Sequence, residues 1–191
     1  MELSQFLNNV KIYVDLKSQL GVRLNSLLNE VISRLPDEEQ FRMRGQIAFH
    51  TRASAIEFWQ SMRSNFFLKP DFTSKSRGGN CSYRVGDTVD HSTYIITIIV
   101  DDLNRRSDDY VRGLIAHELS EMSYCYRATQ GMISDLRKMK PKARQIRMDQ
   151  LTGQNATIGT REHQEHENKA NQEAMRLGFS KEIQVLDKLS G

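Results

Sequence analysis

Tyr94-Ile95-Ile96-Thr97-Ile98-Ile99-Val100 is a run of mostly β-branched residues, and Ser107-Asp108-Asp109-Tyr110-Val111-Arg112-Gly113-Leu114-Ile115-Ala116-His117-Glu118-Leu119-Ser120-Glu121 follows it closely. The first stretch reads as a strand, because branched side chains suit a pleated, packed surface. In the second, Val111, Leu114, Ile115, Leu119 and Met122 recur at three- and four-residue steps, the period of a helix with one buried side. Ser107 or Asp108 supplies its N-cap, and Gln130-Gly131 is expected to close it beyond about Arg127. The polar segment Asp101–Arg106 connects the two. A strand that runs almost directly into a half-buried helix, with a histidine and two glutamates in its middle turns, organises the rest of the reading.

Upstream, Cys81–Val85 is a second strand, joined to the first through a turn at Asp87–Ser92. Pro70–Asn80 is polar, contains Gly78-Gly79 and reads as a loop. Ala53–Phe67 carries Ala55, Ile56, Phe58, Trp59 and Met62 at helical spacing, and Phe41–Thr51 alternates as a strand would. The N-terminal apolar residues, from Leu3, Phe6, Val10 and Tyr13 to Leu24, Leu28, Val31 and Leu35, keep a helical period with a break near Gly21. Pro36-Asp37-Glu38 ends them. This segment, residues 1–36, packs on the domain of residues 37–191 or on a second copy of the chain, which would make a homo-oligomer. Downstream, Gly153–Thr160 reads as a loop, and Arg161–Leu177 as a helix with Gly178 as its C-cap. The pattern predicts an α+β fold with a small sheet.

With 191 residues, 38% of them hydrophobic, the chain can bury a core without a disulfide or metal staple. A metal, if present, would therefore serve chemistry. Cys81 and Cys125 form no CxxC pair, and no disulfide framework is expected. Met1–Phe6 lacks a basic stretch followed by an apolar core, so no signal peptide is read. The longest apolar run is too short to span a membrane. A cytoplasmic location follows as the expectation, without a membrane partner. The basic residues Arg137, Lys138, Lys140, Lys142, Arg144 and Arg147 have few aromatic neighbours and include Pro141 among them. They read as a solvated loop or helix end rather than a nucleic-acid surface.

Residues four apart on a helix share a face, so His117 and Glu121 both reach one metal ion. Glu118 points some 100° around the helix, in reach of a water at that ion. Imidazole and carboxylate are ordinary zinc ligands, and a catalytic zinc keeps one position open. Glu118 would then act as general base on the attacking water. A third ligand is expected from the downstream helix, Glu162-His163-Gln164-Glu165-His166-Glu167-Asn168-Lys169-Ala170-Asn171-Gln172-Glu173-Ala174. There Ala170, Ala174 and Leu177 form a stripe for close helix packing, and Glu167 lies beside it. Glu162, Glu165 and Glu173 read as a solvated face. A two-metal carboxylate site would need Glu-x-x-His on two helices, and neither reads so.

His117-Glu118-x-x-Glu121 followed by Glu167-x-x-Ala170-Asn171-x-x-Ala174 resembles the gluzincin class of zinc metallopeptidases. The second half is similar to the third-ligand helix of minigluzincin-like, ImmA/IrrE-like and HtpX-like groups. The resemblance spans roughly residues 94 to 178. It implies a zincin-like small mixed sheet with an active-site helix and a C-terminal ligand helix. It also implies a zinc ion on His117, Glu121 and Glu167, and a peptide or protein substrate. The strand Tyr94–Val100 resembles the edge strand on which that class binds an extended substrate.

The departure from the pattern is Glu121, where the class has a second histidine. A shell of one imidazole and two carboxylates is harder and less selective for zinc over manganese or iron (Mn2+ or Fe2+). Three arrangements are open: Glu121 ligates directly, His163 or His166 supplies the missing imidazole, or the site is degenerate and serves a non-catalytic regulatory or interaction module. Tyr124, seven residues after His117, reads first as core and second as an oxyanion stabiliser. Cys125 reads as buried and inert; Cys81, in a glycine-rich stretch, is a candidate cap on the metal in a latent form.

Overall fold

The protein is described here from a computed structural model that covers residues 10–13, 17–42, 45–61, 66–67, 78–84, 93–144, 146–147 and 160–190. In chain order the elements are β1 (Val10–Tyr13), α1 (Gln19–Arg34), α2 (Asp37–Arg42), β2 (Gly45–His50), α3 (Arg52–Ser61), β3 (Phe66–Phe67), β4 (Gly79–Arg84) and β5 (Thr93–Ile99). A 3-10 turn at Leu103–Arg105 leads into α4 (Asp108–Lys138), followed by α5 (Thr160–Ala174), a π-helical turn (Met175–Phe179) and α6 (Ser180–Ser190). The α+β class is as the sequence predicts.

The five strands form one mixed sheet in the order β1-β2-β5-β4-β3. β1, β2 and β5 run parallel, and β4 and β3 continue antiparallel. Both faces of β5 are buried, which is why it is apolar at nearly every position. Ile96 and Ile98 join Ile47, Cys81 and the helices α1, α4 and α6 in the main core. Ile95 and Ile99 pack on the other face with Ala55 and Trp59 of α3. Thr97, the polar exception, accepts a hydrogen bond from the Trp59 indole at 3.2 Å.

This order corrects one expectation. The strand preceding the helix that carries His117 is central, not an edge, because β4 covers its outer side. Beyond β4, the two-residue β3 pairs with Tyr83 and Arg84.

The N-terminal helical reading also needs correction. Val10–Tyr13 is a strand paired with Gly45–Ala48, and the helix starts at Gln19 with Ser18 as its cap. Val10 and Tyr13 fit a three-residue step, but Val10 and Ile12 equally fit an alternation. Residues 1–9 of that segment lie outside the described residues. The apolar face of α1 packs inward: Leu24, Leu27, Leu28, Val31 and Ile32 are buried in the main core. Arg23 then ties α1 to the entry of α4, donating to the carbonyls of Leu103 (2.8 Å) and Arg106 (2.7 Å) and to Asp108.

Other boundaries shift. Within Phe41–Thr51, Gly45–His50 is strand while Phe41-Arg42 ends α2, and Gly79 and Asn80 belong to β4 rather than to a loop. The Asp87–Ser92 turn and the loop at 153–159 lie outside the described residues. α4 does not stop at Gln130-Gly131 but continues to Lys138, where Arg144 donates to the carbonyl of Leu136. Gly178, with φ of 95°, is a kink rather than an end, since α6 continues past it. Arg34 holds that kink: its guanidinium donates to the Gly178 carbonyl and lies 4.3 Å from the centre of the Phe179 ring. No helix among the described residues is long and apolar enough to cross a membrane.

Candidate metal centre

Ser107 caps α4 by accepting from the Tyr110 amide, and the helix then passes beneath the sheet. Val111, Leu114, Ile115, Leu119 and Met122 anchor it in the core. The same turns carry His117, Glu118 and Glu121, and all three are buried, at 2%, 2% and 5% exposure. Such groups need partners or an ion, because an isolated buried charge is strongly disfavoured. One donor atom from each of the three lies within 4.8 Å of the others, close enough to face one ion.

α5 lies along α4, and the small-residue stripe predicted from sequence makes the contact: Ala170 and Ala174 are fully buried. This brings Glu167 to His117, with 3.4 Å between Glu167 Oε2 and His117 Nε2. It also brings Asn171 to the other ring nitrogen. His117 Nδ1 lies 2.7 Å from Asn171 Oδ1, an acceptor, so the ring donates there and turns Nε2 toward the carboxylates. Asn171 Nδ2 in turn donates to Asp187 of α6 at 3.1 Å, which fixes the direction of the amide. Histidine ligands are commonly oriented by such a partner on the far nitrogen. The sequence reading quoted Asn171 within a motif but gave it no role, and it missed Asp187 because α6 was unseen.

One turn further along α4, Glu121 Oε1 lies 2.8 Å from His166 Nε2. Tyr124 meets the His166 ring edge-on, with centroids 5.6 Å apart, and is only partly buried. Thus His166 and Tyr124 belong to the neighbourhood of the centre. The side chains of His163, Cys125 and Tyr126 lie outside the described residues. Cys81 is buried in the main core and is not among the residues grouped around His117.

The third wall is backbone. A Cβ on Gly79 would lie 2.7 Å from the Glu118 carboxyl carbon, so only glycine lets β4 approach this closely. The edge of β4 therefore runs directly over the Glu118 carboxyl. Glu118 Oε2 is buried and has no hydrogen-bond partner among the described residues.

The charges are strongly coupled. Burial opposes a proton on His117, but the Glu167 hydrogen bond and the charges of Glu118, Glu121 and Glu167 outweigh it and raise its pKa to about 9. Burial, then the charge of Glu121, pushes the Glu118 carboxyl well above the usual carboxylate range, against the pull of His117. The hydrogen bond to Glu121 raises His166. His117, Glu118 and Glu121, with one carboxylate oxygen unpartnered among the described residues, form a donor group that could hold a divalent cation, and Glu167 and His166 stand at its border. Comparison with models of protein families, with curated proteins and with solved structures finds no match to this chain.

Proposed function

We propose that the protein is a metal-dependent peptidase of the gluzincin type, with zinc on His117, Glu121 and Glu167 and with Glu118 as general base. The observation that carries this reading is the convergence of Glu167 from α5 on His117 Nε2, with the unpartnered Glu118 Oε2 beside them. A bound zinc ion would polarise a peptide carbonyl, sharpen the acidity of a water and draw the Glu118 pKa down.

This chain's own residues supply the rest. Asn171 holds His117 in the tautomer with Nε2 free for the ion. Glu118, on the adjoining helical position, takes the proton from the attacking water and can pass it to the leaving amine.

The substitution Glu118→Gln tests the reading. Hydrolysis of a peptide library should fall by about 10²–10⁴-fold, the usual contribution of a positioned general base. Zinc content, measured by elemental analysis, should stay at one ion per chain. A wild-type protein that holds zinc and cleaves nothing would instead be a non-catalytic metal-binding module; one that holds no divalent metal would remove both readings.

A further inference from the structure

The proposed centre has one imidazole, His117, beside the carboxylates of Glu118, Glu121 and Glu167, so a second neutral donor would suit it. We infer that His166 of α5 supplies it, so that the centre is held by two imidazoles, His117 and His166, together with Glu167 and Glu121. This rests on the proposed metal site and assigns it a ligand from outside the pattern.

The tight donor group is His117, Glu118 and Glu121, within 4.8 Å of one another, and two distances bring donors of α5 up to it. Donor atoms about 2.1 Å from one zinc ion stand about 3.0 Å apart at right angles and about 3.4 Å apart at tetrahedral angles. His166 Nε2 and Glu121 Oε1 are 2.8 Å apart, and His117 Nε2 and Glu167 Oε2 are 3.4 Å apart. Each pair joins one donor of α4 to one of α5, and the two pairs sit on successive turns of α4. It is Nε2 of His166 that meets the buried Glu121 carboxylate.

Charge points the same way. Glu118, Glu121 and Glu167 bring up to three negative charges against the two positive charges of the ion. A further carboxylate would worsen that balance, whereas a neutral imidazole adds a donor atom and no charge. His166 is also placed where a ligand can form without disturbing the core, because its side chain is 27% exposed at the rim of the centre. The competing arrangement is a plain hydrogen bond, His166 donating to a Glu121 that alone touches the ion.

X-ray absorption at the zinc edge separates the two by counting imidazoles around the metal, with affinity read by competition against a chelating dye. Wild type should show two imidazoles, His166→Gln one, and His163→Gln two. His166→Gln should lower zinc affinity by about 10²-fold or more, beyond the 10–100-fold typical of outer hydrogen-bond partners. Moving the imidazole back to α4, in the double variant Glu121→His with His166→Gln, should restore two imidazoles and most of the affinity. That rescue also guards against a folding defect in the single variant. One imidazole in zinc-loaded wild type, or an unchanged count in His166→Gln, overturns the assignment and leaves the metal site standing. Absence of zinc from wild type overturns the site itself.

Discussion

Metal-free protein should lose about 3 kcal/mol of folding stability through His117 alone as the pH rises from 6.5 to 9. In the folded state the ring is enclosed by Glu118, Glu121 and Glu167, which hold its proton to about pH 9 despite burial. In the unfolded chain the same ring titrates near 6.5. A group whose folded pKa is raised stabilises fully below its unfolded pKa, and that stabilisation is lost as the pH climbs through the folded value. The gap is roughly 2.5 pH units, each worth about 1.4 kcal/mol, or about 3.5 kcal/mol in full, of which about 3 kcal/mol falls between pH 6.5 and 9. Glu118 and His166 are also raised, so they act in the same direction. His50 is lowered by burial and acts below pH 6.5, outside this window. Urea unfolding in excess chelator at several pH values across the window measures the slope, and His117→Gln should flatten most of it. Zinc-loaded protein should show the opposite trend, because the ion competes with those protons and binds more tightly as they leave. A metal-free stability that is level or rising from pH 6.5 to 9, or a slope that survives His117→Gln, would refute the idea that the carboxylates hold a proton on this ring.

Gly79→Ala should preserve the fold yet reduce peptide hydrolysis about 10²-fold or more, since the atoms that must give way are the end of the Glu118 side chain; circular dichroism and a peptide assay on the same sample test it. Asn171→Leu removes the acceptor for His117 Nδ1–H and should weaken zinc binding about 10–100-fold in dye competition. Gly113→Ala would set a Cβ 2.5 Å from the Glu182 carbonyl oxygen on the backbone of α6, and should cost about 1–3 kcal/mol in urea unfolding without changing the ligands.

How much of this was legible in the sequence varies with the kind of signal. The helix that carries His117 announced itself, because its apolar period, its Ser107 cap and the four-residue spacing of His117 and Glu121 are local. Ala170 and Ala174 gave the packing face of α5, and Glu167 arrived with it. Strand order is not local, and the sequence reading put the Tyr94–Val100 strand at an edge. Yet the residues held a corrective: Ile95 and Ile99 face one way, Ile96 and Ile98 the other. A strand that is apolar on both faces belongs inside a sheet covered on both sides. The start of β4, Gly79-Asn80, reads as loop because glycine and asparagine are poor strand formers. Its glycine is there for close approach to Glu118, and nothing in the spacing of Gly78-Gly79 reveals a carboxylate some forty residues away in the chain.

Glu121 illustrates the same limit at the centre itself. Read along α4 alone, it is a defect: a carboxylate where an imidazole is expected, softening the case for zinc and for catalysis. Read across the α4–α5 contact, it faces His166, one residue before the Glu167 that reaches His117. The antiparallel crossing of the two helices makes this pairing natural, since successive turns of α4 meet successive positions of α5. A donor lost from one helix can be recovered from the other without altering the packing stripe, because the stripe residues Ala170 and Ala174 remain in place. Motif spacing on one helix cannot express that exchange; only the contact between helices can. If the imidazole count of zinc-loaded protein is two, the departure at Glu121 is a relocation of the ligand and not a loss of the site.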